Sequence, residues 1–222
     1  MAGRRPLNRD EEQKLLATLH EISPRDRALV TTQWMTGFRI SEVLSLTYAS
    51  VWRGEDMLPS IGVAPAHLKG GYGRTRWIPV LPELQRALQK LRHWLWLRFE
   101  LRHDLPLFVS REGDADGCAR PLSREQARTI IMSTFEKAGI RNDGRLGTHT
   151  LRKTWARNVY DASGKDIMVL RDALGHADIG TSQKYLDVGR DRVMEAIRSC
   201  DFTAVTEQSK RRTLSRSSTK AA

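Results

Sequence analysis

Apolar residues recur every three to four positions through most of the chain, a spacing that predicts a helix-rich protein. Asn8 stands at a capping position with Glu11 three residues on, so a helix is expected from about Arg9 to Ile22. Ser23-Pro24 opens a second helix, which carries Ala28, Leu29, Trp34 and Met35 inward and stops at Gly37. The string ISEVLSL, Ile40 to Leu46, predicts a short third. Between Val51 and Val80 the period changes. Residues 70–73, Gly-Gly-Tyr-Gly, separate HLK from RTRWIPV, which is the pattern of a β-hairpin. A long amphipathic helix is expected from Pro82 to about His103, with Leu84, Leu88, Leu91 and Leu95 along one face. Its WLWLRF run has the look of a base-stacking platform, but helical spacing assigns it to core packing.

The string REGDADGCARP, 111–121, reads as a loop by composition. Ser123 then caps a helix with Gln126 at the reciprocal position, running to Gly139. Shorter helical segments are expected over 149–160, 165–174, 179–186 and 190–199. The last residues, TEQSKRRTLSRSSTKAA, are polar and basic without a period, and a disordered tail is expected there. The chain thus divides into a basic N-terminal arm over 1–8, one folded region over 9–200 and a basic tail over 201–222.

Composition narrows the class. At 222 residues the chain can bury one substantial core, and 40% hydrophobic with 28% charged residues is ordinary for a soluble globular protein. A formal charge of +11 is not ordinary. It favours a polyanionic partner, nucleic acid before a membrane surface; the alternative is a merely basic soluble protein. Two cysteines, Cys118 and Cys200, are too few for a disulfide framework or a structural zinc site, which suits a reducing compartment. The longest stretch without a charged residue is Met57 to Leu68, twelve residues with two prolines, so no membrane span is expected. The N-terminus, MAGRRPLNRDEEQ, lacks the apolar core of a signal peptide, and a bacterial cytoplasmic, nucleoid-associated location is expected.

Candidate chemistry begins with THTLRKTW, where His149 and Arg152 lie three apart on one helix face. Such a pair can bind one phosphate, the arginine by a bidentate fork, although His and Arg at this spacing are common on surfaces. Arg39 follows a glycine between apolar neighbours in TGFRISEVLSL, with Glu42 three residues on as a structural ion-pair partner. Lys69 sits at the expected hairpin tip, a place where solvated lysines are usual. His176 follows Leu174-Gly175, where an inert helix C-cap is one reading. Tyr185, nine positions further, is either a packed aromatic or a phenol within reach of something it attacks.

Taken in order, Arg39 in TGFRISE, Lys69 before the turn, His149 and Arg152 in HTLR, His176 in LGH and Tyr185 resemble the tyrosine recombinase (phage integrase-like) family. The resemblance runs from about Arg9 to Arg198, and none of the six positions is substituted. It implies an α+β, mainly α catalytic fold with a small antiparallel sheet or hairpin. It also implies a DNA strand transferase: Tyr185 attacks the scissile phosphate, forming a 3′-phosphotyrosyl bond and freeing a 5′-hydroxyl. Arg39 and Arg152 neutralise the phosphate, His149 and His176 add hydrogen bonds, and Lys69 protonates the leaving oxygen. No nucleotide cofactor and no metal are implied, since the covalent link retains the phosphodiester energy and the arginines do a metal's work. The partners implied are double-stranded DNA and further copies of the chain, as a dimer or tetramer on paired recombination sites, with an accessory DNA-bending protein as an optional addition and no membrane.

The sequence departs from the family's usual plan in carrying only about eight residues ahead of the first helix, where most members have a separate DNA-binding domain. The fimbrial phase-variation invertases share this layout. Arg4, Arg5 and Arg9, with Lys210, Arg211 and Arg212 in the tail, are expected to contact phosphates; a solvated charged terminus is the other reading. Val193, Met194 and Ile197 fall at helical spacing, and in this family the C-terminal helix docks in a neighbouring protomer; folding onto its own core is the alternative. Two rivals share part of the pattern: a relaxing topoisomerase of type IB chemistry, and a DNA-binding regulator derived from a recombinase. Small size and the LGH string argue against the first, the intact set of six against the second.

Overall fold

The structure, a computed structural model, describes residues 4–64, 75–110 and 119–175. Asn8 starts the first helix as its sequence demands: its side chain accepts from the Glu11 N–H, and the Glu11 carboxylate accepts from the Asn8 N–H. This helix, α1 (Arg9–Thr18), passes into a 3-10 turn over Leu19–Glu21 rather than continuing to Ile22. Ser23 precedes Pro24 and is held extended, so the chain must leave helical geometry before it.

Helix α2 (Pro24–Thr36) is capped by Ser23, whose side chain accepts from the Asp26 N–H, and ends at Gly37 in the left-handed conformation. The sequence suggested one inward face. Instead nearly every face is buried, Arg25, Arg27, Thr31, Thr32 and Gln33 as well as Ala28, Leu29, Val30 and Trp34. The reason is position: α2 contributes Ala28 and Leu29 to one core and Val30 and Trp34 to a second. Its polar residues become ties between elements. Arg27 pairs with Glu83, Arg25 donates to the Val109 carbonyl, and Gln33 donates to the Thr148 carbonyl at 2.9 Å.

A short α3 (Ile40–Leu44) follows, then two small antiparallel pairs, β1 (Trp52–Arg53) with β2 (Asp56–Met57) and β3 (Ser60–Val63) with β4 (Arg76–Pro79). In the second pair Ile61 opposes Ile78 and Val63 opposes Arg76, and all four are buried, while Trp77 faces outward. HLK and the glycine-rich turn lie outside the described residues.

Helix α4 (Pro82–Trp96) buries Leu84, Leu88, Leu91 and Leu95 completely, as the stripe predicts, but stops seven residues short of His103. The stripe itself ends at Leu95. Trp96 and Leu97 fall off it and are 64% and 60% exposed, whereas Trp94 and Phe99 pack on the core. Assigning the whole WLWLRF run to the core is therefore corrected for those two residues.

Helix α5 (Arg124–Lys137) carries the Ser123–Gln126 cap expected of it. α6 (Thr148–Ala162) is longer than the segment read from sequence, and α7 (Ile167–Leu174) starts later because Asp166 caps it, accepting from the Met168 and Val169 N–H groups. The segments expected over 179–186 and 190–199, and the tail over 201–222, lie outside the described residues. The architecture is mainly α with small antiparallel sheets, as the resemblance implied.

The N-terminal arm needs correction in its described part. Leu7 is wholly buried in the second core; its N–H donates to the Thr154 hydroxyl and its carbonyl accepts from Arg157. Burying a leucine contributes roughly 1.5–3 kcal/mol, enough to seat the chain on α6 before α1 begins. Packing on α6 thus begins ahead of Arg9, at Leu7.

Candidate active site

Arg39 and Arg152 come from opposite halves of the chain and meet around one carboxylate. Arg39 caps α3: its N–H donates to Glu42 Oε2 at 2.8 Å and its Nη1 to Oε1 at 2.6 Å. Glu42 is completely buried, while the Arg39 side chain keeps 21% of its surface in solvent. Arg152, on the second turn of α6, is also completely buried, with Nη1 3.8 Å from Glu42 Oε2. Its guanidinium donates to the Gly37 carbonyl, and at 3.3 Å to the Leu174 carbonyl at the end of α7.

A third guanidinium joins them. Arg76 reaches inward from β4, its Nη2 3.3 Å from Glu42 Oε2 and its Nη1 donating to Leu174 at 2.8 Å, and it lies over the Phe38 ring at 4.4 Å. Among the described residues, three arginines thus meet one largely buried carboxylate, so positive charge is concentrated there. Buried charge of that kind is costly unless an anion offsets it. A tetrahedral anion such as phosphate, with two non-bridging oxygens sharing its charge, suits the fork geometry of arginine.

His149 opens α6 beside this cluster, with its edge exposed. Partial burial holds its pKa below the usual histidine value, and the charges of Arg152, Arg39, Arg4 and Lys153 lower it further. The imidazole is therefore neutral at pH 7, and offers one N–H to an oxyanion without adding charge. Arg39, His149, Arg152 and Glu42 are thus brought together. Lys69, His176 and Tyr185 lie outside the described residues. The description ends at Gly175, whose absent Cβ would lie 3.3 Å from Arg76 Cδ.

The two N-terminal arginines part company. Arg4 donates to the Gly144 and Leu146 carbonyls, remains exposed, and adds to the positive field at His149. Arg5 is placed differently from the expectation of a phosphate contact. Both its Nη atoms donate to Glu11 at 2.7 Å and its Nε to Asp143 at 2.8 Å, so its charge is already matched. The Arg5 guanidinium in turn holds the Glu11 carboxyl below the usual carboxylate range. Arg9 stays largely exposed; Lys210, Arg211 and Arg212 lie outside the described residues.

Sequence reading missed Arg76, although a strand period placing it in register with inward Ile78 was the available signal. It also took Gly37 only as a helix stop. Gly37 has φ of +62°, and a Cβ there would stand 2.2 Å from Trp155 Cε3 on α6. Gly37→Ala should therefore combine left-handed strain with overpacking, together about 2–5 kcal/mol. A fall of roughly 5–15 °C in thermal midpoint is the expected result, read by circular dichroism. An unchanged midpoint would mean that Trp155 does not hold this turn.

Residues 5–192 match the phage integrase family along nearly the whole chain. The chain belongs to that family. Among curated relatives of this integrase-family chain, the tyrosine recombinase XerC of Pelobacter propionicus is 32% identical over 171 residues, 77% of this chain and 50% of the relative. The chain thus spans about half the length of that relative. Among solved structures, the XerA recombinase superposes with a TM-score of 0.66 at 25% identity, covering 90% of this chain and 66% of XerA. The XerH site-specific recombinase bound to its difH substrate before cleavage gives 0.67 at 23% identity, covering 89% of this chain and 55% of XerH. Among the described residues of this integrase-family chain, no helix is long and apolar enough to cross a membrane.

Proposed function

We propose that this chain cuts and rejoins DNA strands at specific sites through a covalent tyrosine intermediate. The observation that carries the reading is the convergence of Arg39 and Arg152, with neutral His149 beside them, on buried Glu42. Membership of a family whose 32%-identical relative is a tyrosine recombinase supports it, and so does the net charge of +11.

A phosphodiester resists attack because its oxygens are already anionic. Arg39 and Arg152 offset that charge and hold it as the pentacoordinate transition state forms, and His149 donates a hydrogen bond to a non-bridging oxygen. The Tyr185 oxygen gives up its proton to solvent and bonds to phosphorus as the bond to the 5′-oxygen breaks. Lys69 gives that oxygen a proton, and His176 adds a further hydrogen bond to the phosphate. Religation is the same sequence reversed with a new 5′-hydroxyl. One ester replaces another throughout, so no nucleotide cofactor is consumed. The partners are double-stranded DNA and further copies of the chain on paired sites, joined on some sites by an accessory DNA-bending protein. The protein works with the nucleoid.

A nicked duplex tests this directly. Cleavage next to the nick releases a short 5′-hydroxyl fragment, and religation has nothing left to capture. A covalent protein–DNA adduct should accumulate, and should do so in EDTA without ATP, because arginines supply the neutralisation. Cleavage lost in EDTA and restored only by magnesium would place the protein in another reaction class. Binding without any adduct would favour a DNA-binding regulator.

A further inference from the structure

Arg76 and Arg152 share the same two oxygen atoms. Arg76 is closer to both, at 2.8 Å from the Leu174 carbonyl and 3.3 Å from Glu42 Oε2; Arg152 stands at 3.3 Å and 3.8 Å. Two guanidiniums at such range repel, and the Glu42 charge and the carbonyl at the C-terminal, negative end of α7 offset that repulsion. Arg76 is itself fixed from three sides: its strand pairs with β3, its guanidinium lies over Phe38, and only 7% of its surface is exposed.

We propose that Arg76 is a positioning residue for strand cleavage, acting through Arg152. Its shorter contacts occupy the Leu174 carbonyl and the inner Glu42 oxygen. Arg152, whose Nη1 also donates to the Gly37 carbonyl, is thereby kept at the long end of each shared contact and poised toward the phosphate. Without Arg76, both oxygens pass to Arg152 and draw its guanidinium toward α7 and Glu42. A catalytic group displaced by about 1 Å can lose on the order of a hundredfold in rate. The inference rests on the phosphate-binding role given to Arg152 above.

The test is a double-mutant cycle on the nicked duplex, with single-turnover cleavage measured at saturating DNA and affinity measured separately. Arg76→Gln keeps hydrogen-bond donors and removes the charge. It should slow cleavage by roughly 10–100-fold while affinity stays within a few-fold. In an Arg152→Lys background, where the fork is already lost, the same change should cost less than about twofold if it acts through Arg152. Full multiplication of the two defects, or a loss confined to affinity, would overturn the proposal. Arg76→Lys retains the charge but cannot span two acceptors, so it should preserve thermal stability and still cleave slowly; wild-type cleavage by this variant would also overturn it. Should the Gln variant fail to fold, the cycle run with Lys at position 76 decides the same point. A wild-type protein that makes no adduct would sink the parent reading instead, so the two failures are distinguishable.

Discussion

Replacing Tyr185 by phenylalanine is expected to abolish strand cleavage while leaving DNA affinity within a few-fold. The substitution removes one hydroxyl and leaves the cluster of Arg39, Arg76 and Arg152 about Glu42 untouched, so the phosphate is still held. A phenyl ring has no oxygen with which to form a phosphoester. The two described tyrosines are poor substitutes. Tyr48 is 5% exposed, stacked on Trp52, and its hydroxyl bonds the Gly54 carbonyl and Arg92. Tyr160 shares α6 with Arg152 but lies eight residues on, about 12 Å along the axis. The measurement is a denaturing gel for the adduct beside a mobility shift for binding. An adduct surviving in Tyr185→Phe would place the nucleophile elsewhere; loss of both adduct and binding would make Tyr185 structural.

The cluster about Glu42 was partly legible in sequence and partly not. Arg39 with Glu42, and His149 with Arg152, are three-residue spacings on single helices, so each pair shows in the string. The helix caps at Asn8, Ser23 and Ser123 showed for the same reason: a side chain bonding a backbone N–H two or three residues on is a local event. The joining of the two pairs is not local. It depends on Gly37 letting α3 turn back beneath Trp155, and on α7 ending with its Leu174 carbonyl against Arg152.

Arg39 carried two competing sequence readings, an ion pair with Glu42 and a phosphate ligand. The bland reading, an ion pair with Glu42, is what the structure contains. Among the described residues, the same carboxylate also meets Arg76 and Arg152. Where sequence reasoning went wrong, burial was decided at a distance. Arg5 reads as a free cation until Asp143, far along the chain, is brought beside it, and Trp96 reads as core until the leucine stripe ends one residue earlier. Leu7 reads as part of an arm until α6 supplies Thr154 and Arg157 for its backbone.

The second large effect is expected at Lys69. Expulsion of the 5′-oxygen as a bare alkoxide is slow, so a proton donor at that oxygen contributes typically 10²–10⁴-fold. Lys69→Ala should slow cleavage of an ordinary nicked duplex by roughly that range, with affinity little changed, since one phosphate contact among several is a small part of binding. A rate loss alone does not separate a proton donor from a residue that merely orients the phosphate. A substrate with sulfur in place of the bridging 5′-oxygen does. A thiolate is a far better leaving group and needs no proton, so the variant should recover most of its lost rate on that substrate. The same substrate should do nothing for Arg152→Lys, because the guanidinium acts on the non-bridging oxygens, which the sulfur leaves in place. Equal defects for Lys69→Ala on both substrates would reduce Lys69 to a phosphate contact or a solvated turn residue. The proton would then have to come from another group.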